Sequence, residues 1–519
     1  MSTDYARIIQ LWPLRLGLCV TILLAGSYAA VAVIANFTLI DALHDSHAIH
    51  VDQQELLSLV ADGQAGAAFE KAFEEGNELF ETVFNARDGV GANVGQGQRF
   101  TRVPRADLTG SGEWARHFPP RSTGPNAQAC NQCHNLPFED GAGSAVADVH
   151  RDPFHTAHLG SFIRRNAPHL FALGAVQRLA EEMTEDLHHI RDAAQAAACR
   201  SGRPEARQLR VKKVSFGRIT ATCTTVDASA VEGVDVDLVV RPFQWKGSRA
   251  FIRDFNRDAA HNELGMQAVE IVGEGQDGDF DGVVDEMTVG DQTALAIYLA
   301  AQPRPTTRIE LASLGLLDPL PTEEIRAINR GAKLFRRVGC ADCHMSRLMI
   351  DTPIFSEPSQ NPYFRDLLFP AGQDPLSQGV DPKSPITFDL TRDQPDNQIR
   401  ADGNVLFRLG SLQTNPQGRA IVEIFGDLKR HDMGPGLAEP IDEIGTGPSV
   451  FLTDNLWGVA STAPYLHDGR ATTLTEAILS HGGEATSAMA AFVALATDPQ
   501  KDLIAFLNNL VLFKEEKDE

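Results

Sequence analysis

The chain has 519 residues, of which 43% are hydrophobic and 22% are charged, so it can bury a large core in about two to four domains. This composition excludes a polytopic membrane protein and a wholly disordered chain. The 69 acidic residues outnumber the 46 Lys and Arg residues and give a formal charge of −23. That charge excludes a general nucleic-acid binder. An acidic surface favours basic partners, although it also serves solubility.

The N-terminus contains an apolar segment that is long enough to cross a bilayer. Residues Leu16–Ile40 carry no charge, and as a helix they would span about 37 Å. Arg7 and Arg15 precede the segment and Asp41 follows it, so the positive-inside rule puts the body of the chain outside the cytoplasm. The alternative is a cleaved signal peptide, because Ala30–Ala32 offers a small-x-small cleavage site. Both interpretations predict a periplasmic body, either anchored to the inner membrane or secreted.

A cysteine pair followed directly by a histidine comes after a predicted helix at Ala67–Phe84. Cys130, Cys133 and His134 form the sequence C-x-x-C-H. This is the attachment pattern of c-type haem, because the two thiols add to the haem vinyl groups and the next imidazole ligates the iron. We therefore predict a covalently bound haem c at this motif.

The middle of the chain contains a second pair of cysteines. Residues Lys212–Leu238 are typical of short strands, and Cys199 and Cys223 lie in or near this stretch. An oxidising compartment would allow these two cysteines to form a disulfide. The alternative is two buried thiols.

An acidic loop with calcium-binding spacing follows. Asp277, Asp279 and Asp281 alternate before a glycine, as at the start of a calcium loop. Position twelve is Thr288 instead of the glutamate of an EF-hand. Asp285 or Glu286 would therefore have to supply the last carboxylate ligand. The alternative is an Asp/Gly turn without metal.

A second C-x-x-C-H sequence, Cys340, Cys343 and His344, lies between two predicted helices. The preceding helix covers Thr322–Arg337 and the closing helix covers Lys501–Phe513, each with one apolar face. We therefore predict a second covalent haem c. The alternative is a four-cysteine zinc site. The histidine after each pair and the separation of 210 residues between the motifs argue against zinc.

The motifs together predict a mainly α fold. Two cytochrome c-type haem domains follow each other, with small β elements and long loops. Residues 1–45 are the N-terminal membrane anchor or signal helix, residues 46–300 the first haem domain, and residues 301–519 the second.

Further segments carry a family resemblance. Leu456–Glu484 includes the sequence TAPYLHDGR, and His431–Gly434, Arg165–Gly174 and Arg241–Lys246 accompany it. Together with the paired haem motifs, these segments resemble the dihaem cytochrome c peroxidase and MauG superfamily. The resemblance spans roughly residues 65 to 515. It is greatest to the dihaem oxidoreductase branch, whose members are often labelled peroxidases or thiol oxidoreductases.

This resemblance implies different tasks for the two haems. In bacterial dihaem peroxidases the N-terminal haem meets peroxide and the C-terminal haem exchanges electrons, which would assign these tasks to the haems of His134 and His344. The far ligand of the second haem is a methionine in those peroxidases and a tyrosine in MauG. This chain has His481 at that position, which implies bis-histidine ligation and a lower potential than His/Met ligation gives. Met433 is the competing ligand.

The far side of the first haem is less constrained by the sequence. Peroxide chemistry needs an axial position that is open or can be vacated. His150, His155 and His158 follow the motif and are candidates to ligate that face, although each can equally be structural. The resemblance favours His150, which has the offset of the exchangeable histidine in some peroxidases.

The resemblance also implies catalytic residues. The superfamily has a carboxylate after the Asn-Ala-Pro segment, whereas this chain has Gln177 there, with Glu181 and Glu182 just beyond. These residues are candidates for the acid–base group that peroxide cleavage requires, and the alternative for the two glutamates is a solvated helix face. Trp245 and, to a lesser extent, Trp457 are candidates for an aromatic relay between the haems. Their alternative is ordinary core packing.

The resulting prediction is a dihaem c-type oxidoreductase of the peroxidase class. It would activate hydrogen peroxide or a related oxidant at the first haem and relay electrons through the second. A pure electron-transfer dihaem cytochrome c and a MauG-like enzyme that modifies a partner protein are the alternatives. The acidic charge favours a small basic cytochrome c or a cupredoxin as the electron partner, and no nucleic-acid partner is expected.

Overall fold

The computed structural model describes residues 48, 50–85, 87–90, 126–144, 147, 149–151, 163–278, 282–392, 394–395, 398–401 and 404–514. The predicted N-terminal anchor or signal helix lies outside these residues. Within the described ranges, none of the helices is long and apolar enough to cross a membrane. Residues His50–Glu519 form one compact unit, to which all features below belong. The domain boundary after residue 300 stays a prediction.

Helices contain more of the described residues than strands do, which confirms the mainly α class in part. In chain order the α-helices of the described part are α1 (Gln53–Ala61), α2 (Ala65–Glu81), α3 (Leu173–Ser201), α4 (Ile252–Ala259), α5 (Val269–Val272), α6 (Val289–Ala300), α7 (Arg308–Leu314), α8 (Thr322–Arg337), α9 (Leu474–Leu479), α10 (Thr486–Val493) and α11 (Thr497–Leu507).

The strands form small antiparallel sheets. Within the described residues, β3, β4 and β5 make a three-stranded sheet, and the other strands pair as β1–β2, β6–β15, β7–β12, β8–β9, β10–β11 and β13–β14. Their bounds are β1 Val149–Arg151, β2 Ile163–Arg165, β3 Glu205–Val211, β4 Val214–Ala221, β5 Val226–Val231, β6 Thr306–Thr307, β7 Leu348–Ile350, β8 Ile354–Glu357, β9 Ile386–Asp389, β10 Gln398–Ala401, β11 Asn404–Arg408, β12 Ala420–Val422, β13 Arg430–Asp432, β14 Val450–Leu452 and β15 Leu510–Val511.

Helix α2, which precedes the first C-x-x-C-H motif, packs against α6. The rings of Phe73 and Phe80 lie 5.3 and 5.6 Å from the ring of Tyr298, centroid to centroid. Gly76 lies where the two helices cross, and a Cβ atom there would collide with the backbone carbonyl of Ala294. The missing side chain therefore allows the close helix contact.

Helix α8, which precedes the second motif, packs in the same way against α11. The ring centroids of Phe335 and Phe506 are 5.3 Å apart. Gly331 lies at the crossing, and a Cβ atom there would collide with the backbone carbonyl of Asp502. A glycine at the helix crossing thus allows close helix packing beside both motifs.

The three predicted helices are present, although several of their ends differ. The helix predicted at Ala67–Phe84 is α2, which ends three residues earlier at Glu81, and the helix predicted at Thr322–Arg337 has those bounds as α8. The prediction of a helix to Phe513 is wrong, because α11 ends at Leu507 and the chain then pairs as β15 with β6. Cross-chain pairing overrides the apolar periodicity of these last residues.

The predicted strands and one cysteine pair are also present. The strands expected within Lys212–Leu238 are β4 and β5. Cys199 at the end of α3 and Cys223 in the turn after β4 form a disulfide. The alternative of two unpaired thiols is therefore wrong.

A buried ionic network joins elements on both sides of residue 300. Arg253 of α4 is 2% exposed and pairs with Glu270, at 2.5 Å, and with Glu357 of β8, at 3.1 Å. Arg257 pairs with Asp366 at 3.0 Å. The partner carboxylates keep Arg253 and Arg257 charged away from water, whereas burial raises the pKa of Glu357 to about 7.

Candidate dihaem site

The first C-x-x-C-H motif forms a tight turn beside a cavity. Residues Cys130–Gln132 make one turn of 3₁₀-helix, and the backbone N–H of His134 donates to the carbonyl of Cys130 at 3.1 Å. Both motif cysteines and His134 line a cavity of about 180 Å³. We call it the first cavity.

The second motif repeats this arrangement. Residues Cys340–Asp342 make the same turn, and the backbone N–H of His344 donates to the carbonyl of Cys340 at 3.0 Å. Both cysteines and His344 line a cavity of about 250 Å³, the second cavity. In both cavities two thiols and an imidazole converge on a mainly apolar space, which is the donor set for a covalent haem.

Backbone carbonyls orient both motif histidines. The Nδ1 atom of His134 donates to the carbonyl of Pro168 at 2.8 Å, and that of His344 donates to the carbonyl of Phe425 at 3.0 Å. Burial lowers the pKa of both imidazoles to about 4, so they are neutral at physiological pH. With Nδ1 protonated, Nε2 is the nitrogen left to bind a metal.

His481 lies opposite His344 in the second cavity. Its Nδ1 atom donates to the carbonyl of Ala477 at 2.7 Å, and the two ring centroids are 6.5 Å apart. A metal held by both Nε2 atoms at about 2.0–2.1 Å, the length of zinc–histidine bonds, would set the centroids about 6 Å apart. The pair therefore fits an iron between the rings. Met433 lines the same cavity.

A charged imidazole also lies at the wall of the second cavity. The Nε2 atom of His431 is 3.0 Å from a carboxylate oxygen of Asp427, and Nδ1 is 2.8 Å from one of Glu484. Burial opposes the charge, but the hydrogen bonds with Asp427 and Cys343 raise the pKa of His431 to about 11. Cys343, Asp427 and His431 are close enough to share a metal ion. Haem attachment would instead use the sulfur of Cys343.

The described walls of the first cavity contain a different ligand set. His134 is the one histidine among its described lining residues, and Met287 is the one methionine. His155 and His158 lie outside the described residues, and only the backbone of His150, in β1, is described. Ligation of the first haem by one of these three histidines stays a prediction.

Trp245 lies at the boundary between the cavities. It lines both of them, as do Asn166 and Pro168. Its indole N–H donates to the carbonyl of Asn166 at 2.8 Å, and its ring meets His467 edge-on with centroids 6.4 Å apart. Trp457 is buried, but it is absent from the described lining of both cavities. Of the two tryptophans, only Trp245 lines both cavities as described, and a relay role for either stays a prediction.

The three acid–base candidates lie on α3, away from both cavity linings as described. Gln177 donates to Glu181 at 2.9 Å and accepts from the backbone N–H of Ile252. Glu182 pairs with Lys212 at 2.6 Å. Because Glu181 and Glu182 are 1% and 8% exposed, the alternative of a solvated face is wrong. Their contacts hold α3 in place, and a catalytic role for these three residues stays a prediction without geometric support.

Other carboxylates line the first cavity, and the sequence analysis missed them. They are Asp258, Glu263 and Glu443. Glu263 accepts from the side-chain amide of Asn126 at 2.8 Å, just before the first motif. Glu443 pairs with Arg165 at 2.9 Å. The sequence motifs gave no signal for these three residues, because Glu263 comes next to the first motif only through its long-range contact with Asn126.

The predicted calcium loop is described only in part. Asp279 and Asp281 lie outside the described residues. Asp277 accepts from the backbone N–H of Gly282 at 3.0 Å, and Asp285 accepts from that of Gly275 at 2.6 Å. These bonds are typical of a turn, and calcium binding stays a prediction.

The comparisons support the family resemblance. Residues 414–510 match the family described as "Di-haem oxidoreductase, putative peroxidase". The predicted likeness to the dihaem peroxidase superfamily is therefore confirmed, and this stretch includes the TAPYLHDGR segment and His481. No curated protein matches the chain.

Among solved structures, hydrazine synthase of Kuenenia stuttgartiensis, pressurized with xenon, is similar to the chain at 17% identity and a TM-score of 0.21. The match covers 43% of this chain and 56% of that one. The match thus spans little more than half of that protein, and a TM-score of 0.21 does not show a shared fold.

Proposed function

We propose that this chain is a dihaem c-type peroxidase, in which the first haem meets peroxide and the second relays electrons. The described ligand sets of the two cavities support the proposal. Two histidines face each other across the second cavity, whereas His134 is the one histidine among the described residues of the first. An iron with a free or exchangeable position can bind a small oxidant, and a bis-histidine iron cannot.

The residues that would hold the haems follow from the two motifs. Cys130 and Cys133 would attach the first haem, with His134 as ligand, and the second motif would do the same with His344 and His481. Bound haem would supply one-electron redox chemistry and a site for the oxidant.

Reduction of hydrogen peroxide to two water molecules consumes two electrons and two protons. We assign the proton transfer to Glu263 and the electron transfer to Trp245. Glu263 lines the first cavity and can move a proton between peroxide oxygens. Trp245 lines both cavities and would pass electrons between the haems. Glu263 thus replaces Glu181 as our proposed acid–base residue.

Peroxide turnover tests this proposal. The holoprotein should oxidise a reduced small basic cytochrome c when peroxide is added. Glu263→Gln should lower kcat by about 10²–10⁴-fold, the usual contribution of a general acid or base. Glu181→Gln is the matched control and should leave kcat unchanged, because Glu181 is buried outside both cavities. Holoprotein that never oxidises the donor would leave the electron-transfer alternative.

We further propose a periplasmic location and a basic electron carrier. The Cys199–Cys223 disulfide supports an oxidising compartment, and the charge of −23 supports a basic cytochrome c or cupredoxin. The rate of donor oxidation should then fall as salt rises from low to physiological ionic strength. A rate that is independent of salt would exclude electrostatic attraction of the donor.

A further inference from the structure

A largely buried lysine near the end of the described chain pairs with an acid that follows the first haem motif. Lys514 follows β15, and its side chain is 11% exposed. Its Nζ atom lies 2.8 Å from a carboxylate oxygen of Asp140, which is fully buried. Asp140 comes six residues after His134. Two segments 374 positions apart thus meet in one partly buried ion pair.

The carboxylate of Asp140 is connected to the first cavity by a short series of contacts. It accepts from the hydroxyl of Tyr298 at 2.8 Å, and the Tyr298 ring packs on Phe80 with centroids 5.6 Å apart. Phe80 lines the first cavity and lies 6.4 Å from the His134 ring. These contacts link the Asp140 carboxylate to the wall of the first cavity beside His134.

Glu139, the acid next to Asp140, is mostly uncharged at neutral pH. Glu139 is 3.7 Å from Lys514. Burial and a hydrogen bond with Glu81 raise the pKa of Glu139 to about 8, so it is mostly protonated below that pH. Lys514 is then paired mainly with the charged carboxylate of Asp140.

We propose that Lys514 sets the reduction potential of the first haem by neutralising the buried carboxylate of Asp140. The inference rests on the proposed function, because it requires a haem at His134. Reduction adds one electron to the iron and no other charge, so an unbalanced negative charge nearby opposes it. In a poorly solvated interior this repulsion is much stronger than in water. A balanced ion pair removes most of it and keeps the potential higher.

The two members of the pair predict opposite shifts. In Lys514→Met the carboxylate loses its cation, and the midpoint potential of the first haem should fall by more than that of the second. In Asp140→Asn a negative charge is lost, and the potential of the first haem should rise. Asparagine tolerates the φ of 60° at this position, so the fold should be retained. The double variant should return close to the wild-type potential.

Spectroelectrochemical titration of the full holoprotein measures both potentials. Lys501→Met is the matched control, because it removes the same charge from a side chain that is 73% exposed, and it should shift neither potential. Loosening of the site would move both single variants in the same direction. Shifts of the same sign, or an unchanged potential in Lys514→Met, would overturn the inference.

Intact-protein mass keeps this test separate from that of the proposed function. Two covalent haems together with an unmoved potential would overturn only the role of Lys514. A protein without covalent haem at the first motif would overturn the proposed function, and this inference with it.

Discussion

The two motif histidines and His481 share one local arrangement, in which a backbone carbonyl takes the Nδ1 proton and leaves Nε2 facing a cavity. The acceptors belong to Pro168, Phe425 and Ala477. Such bonds fix the tautomer and the ring plane of a histidine ligand.

Replacing His481 tests which residue completes the second site. In His481→Ala the second haem loses its far ligand, so its low-spin spectrum should become high-spin, and added imidazole should restore it. Met433→Leu is the control and should leave the spectrum unchanged. A low-spin spectrum that survives in His481→Ala but is lost in Met433→Leu would instead make Met433 the ligand.

At this scale the sequence predicted residues close to a motif better than residues brought in by folding. The C-x-x-C-H motifs are defined by the spacing of their residues along the sequence, and His481 was found by its offset from the TAPYLHDGR segment. Glu263 was missed because its relation to the first motif depends on a contact with Asn126, 137 positions away in sequence. Gln177 and Glu181 were chosen by position in the family, and the fold buries them elsewhere.

Among the elements, the helix pairs α2–α6 and α8–α11 determine where the two motifs lie. Each pair crosses at a glycine, and the turn that carries the motif follows the first helix of the pair. The periodicity of apolar residues predicted α2 and α8, because one helix face is buried in each. It failed beyond Leu507, where an apolar run also suits a strand and pairing with β6 decides.

The glycine at a crossing gives a prediction for the elements. Gly331→Ala should lower the free energy of unfolding by about 1–3 kcal/mol, because the added methyl group has to displace backbone at the α8–α11 contact. Chemical denaturation monitored by circular dichroism measures the loss. Gly66→Ala in α2 is the control, since a Cβ atom there meets nothing within 4 Å, and it should be neutral or slightly stabilising. Equal stabilities would mean that the crossing is not tightly packed.

In the whole molecule, buried charges connect segments that are far apart in sequence. Arg253 of α4 pairs with Glu270 of α5 and with Glu357 of β8, and Lys514 pairs with Asp140. The sequence showed an excess of acidic residues, but it gave no sign of which charges are buried. Ion pairs between distant segments leave no periodic pattern in the sequence, so they could not be predicted. For the same reason the sequence could not show that Trp245 lines both cavities.

Removing the central cation should destabilise the whole molecule. Arg253→Leu leaves Glu357 buried without its cation, so the free energy of unfolding should fall by about 3–5 kcal/mol. Thermal unfolding provides the measurement. Arg326→Leu breaks an exposed pair with Glu323, where both side chains are more than 60% exposed, and it should cost about 0–1 kcal/mol. Similar losses in the two variants would contradict a stabilising role for the buried network.

The central claim is that the two cavities hold haems of unequal ligation. Its most direct test is the EPR spectrum of the ferric holoprotein, recorded before and after one equivalent of hydrogen peroxide. We predict one low-spin bis-histidine signal that peroxide leaves in place, and one high-spin signal that peroxide abolishes. Two low-spin signals that do not respond to peroxide, before or after partial reduction, would contradict the claim and leave an electron-transfer protein.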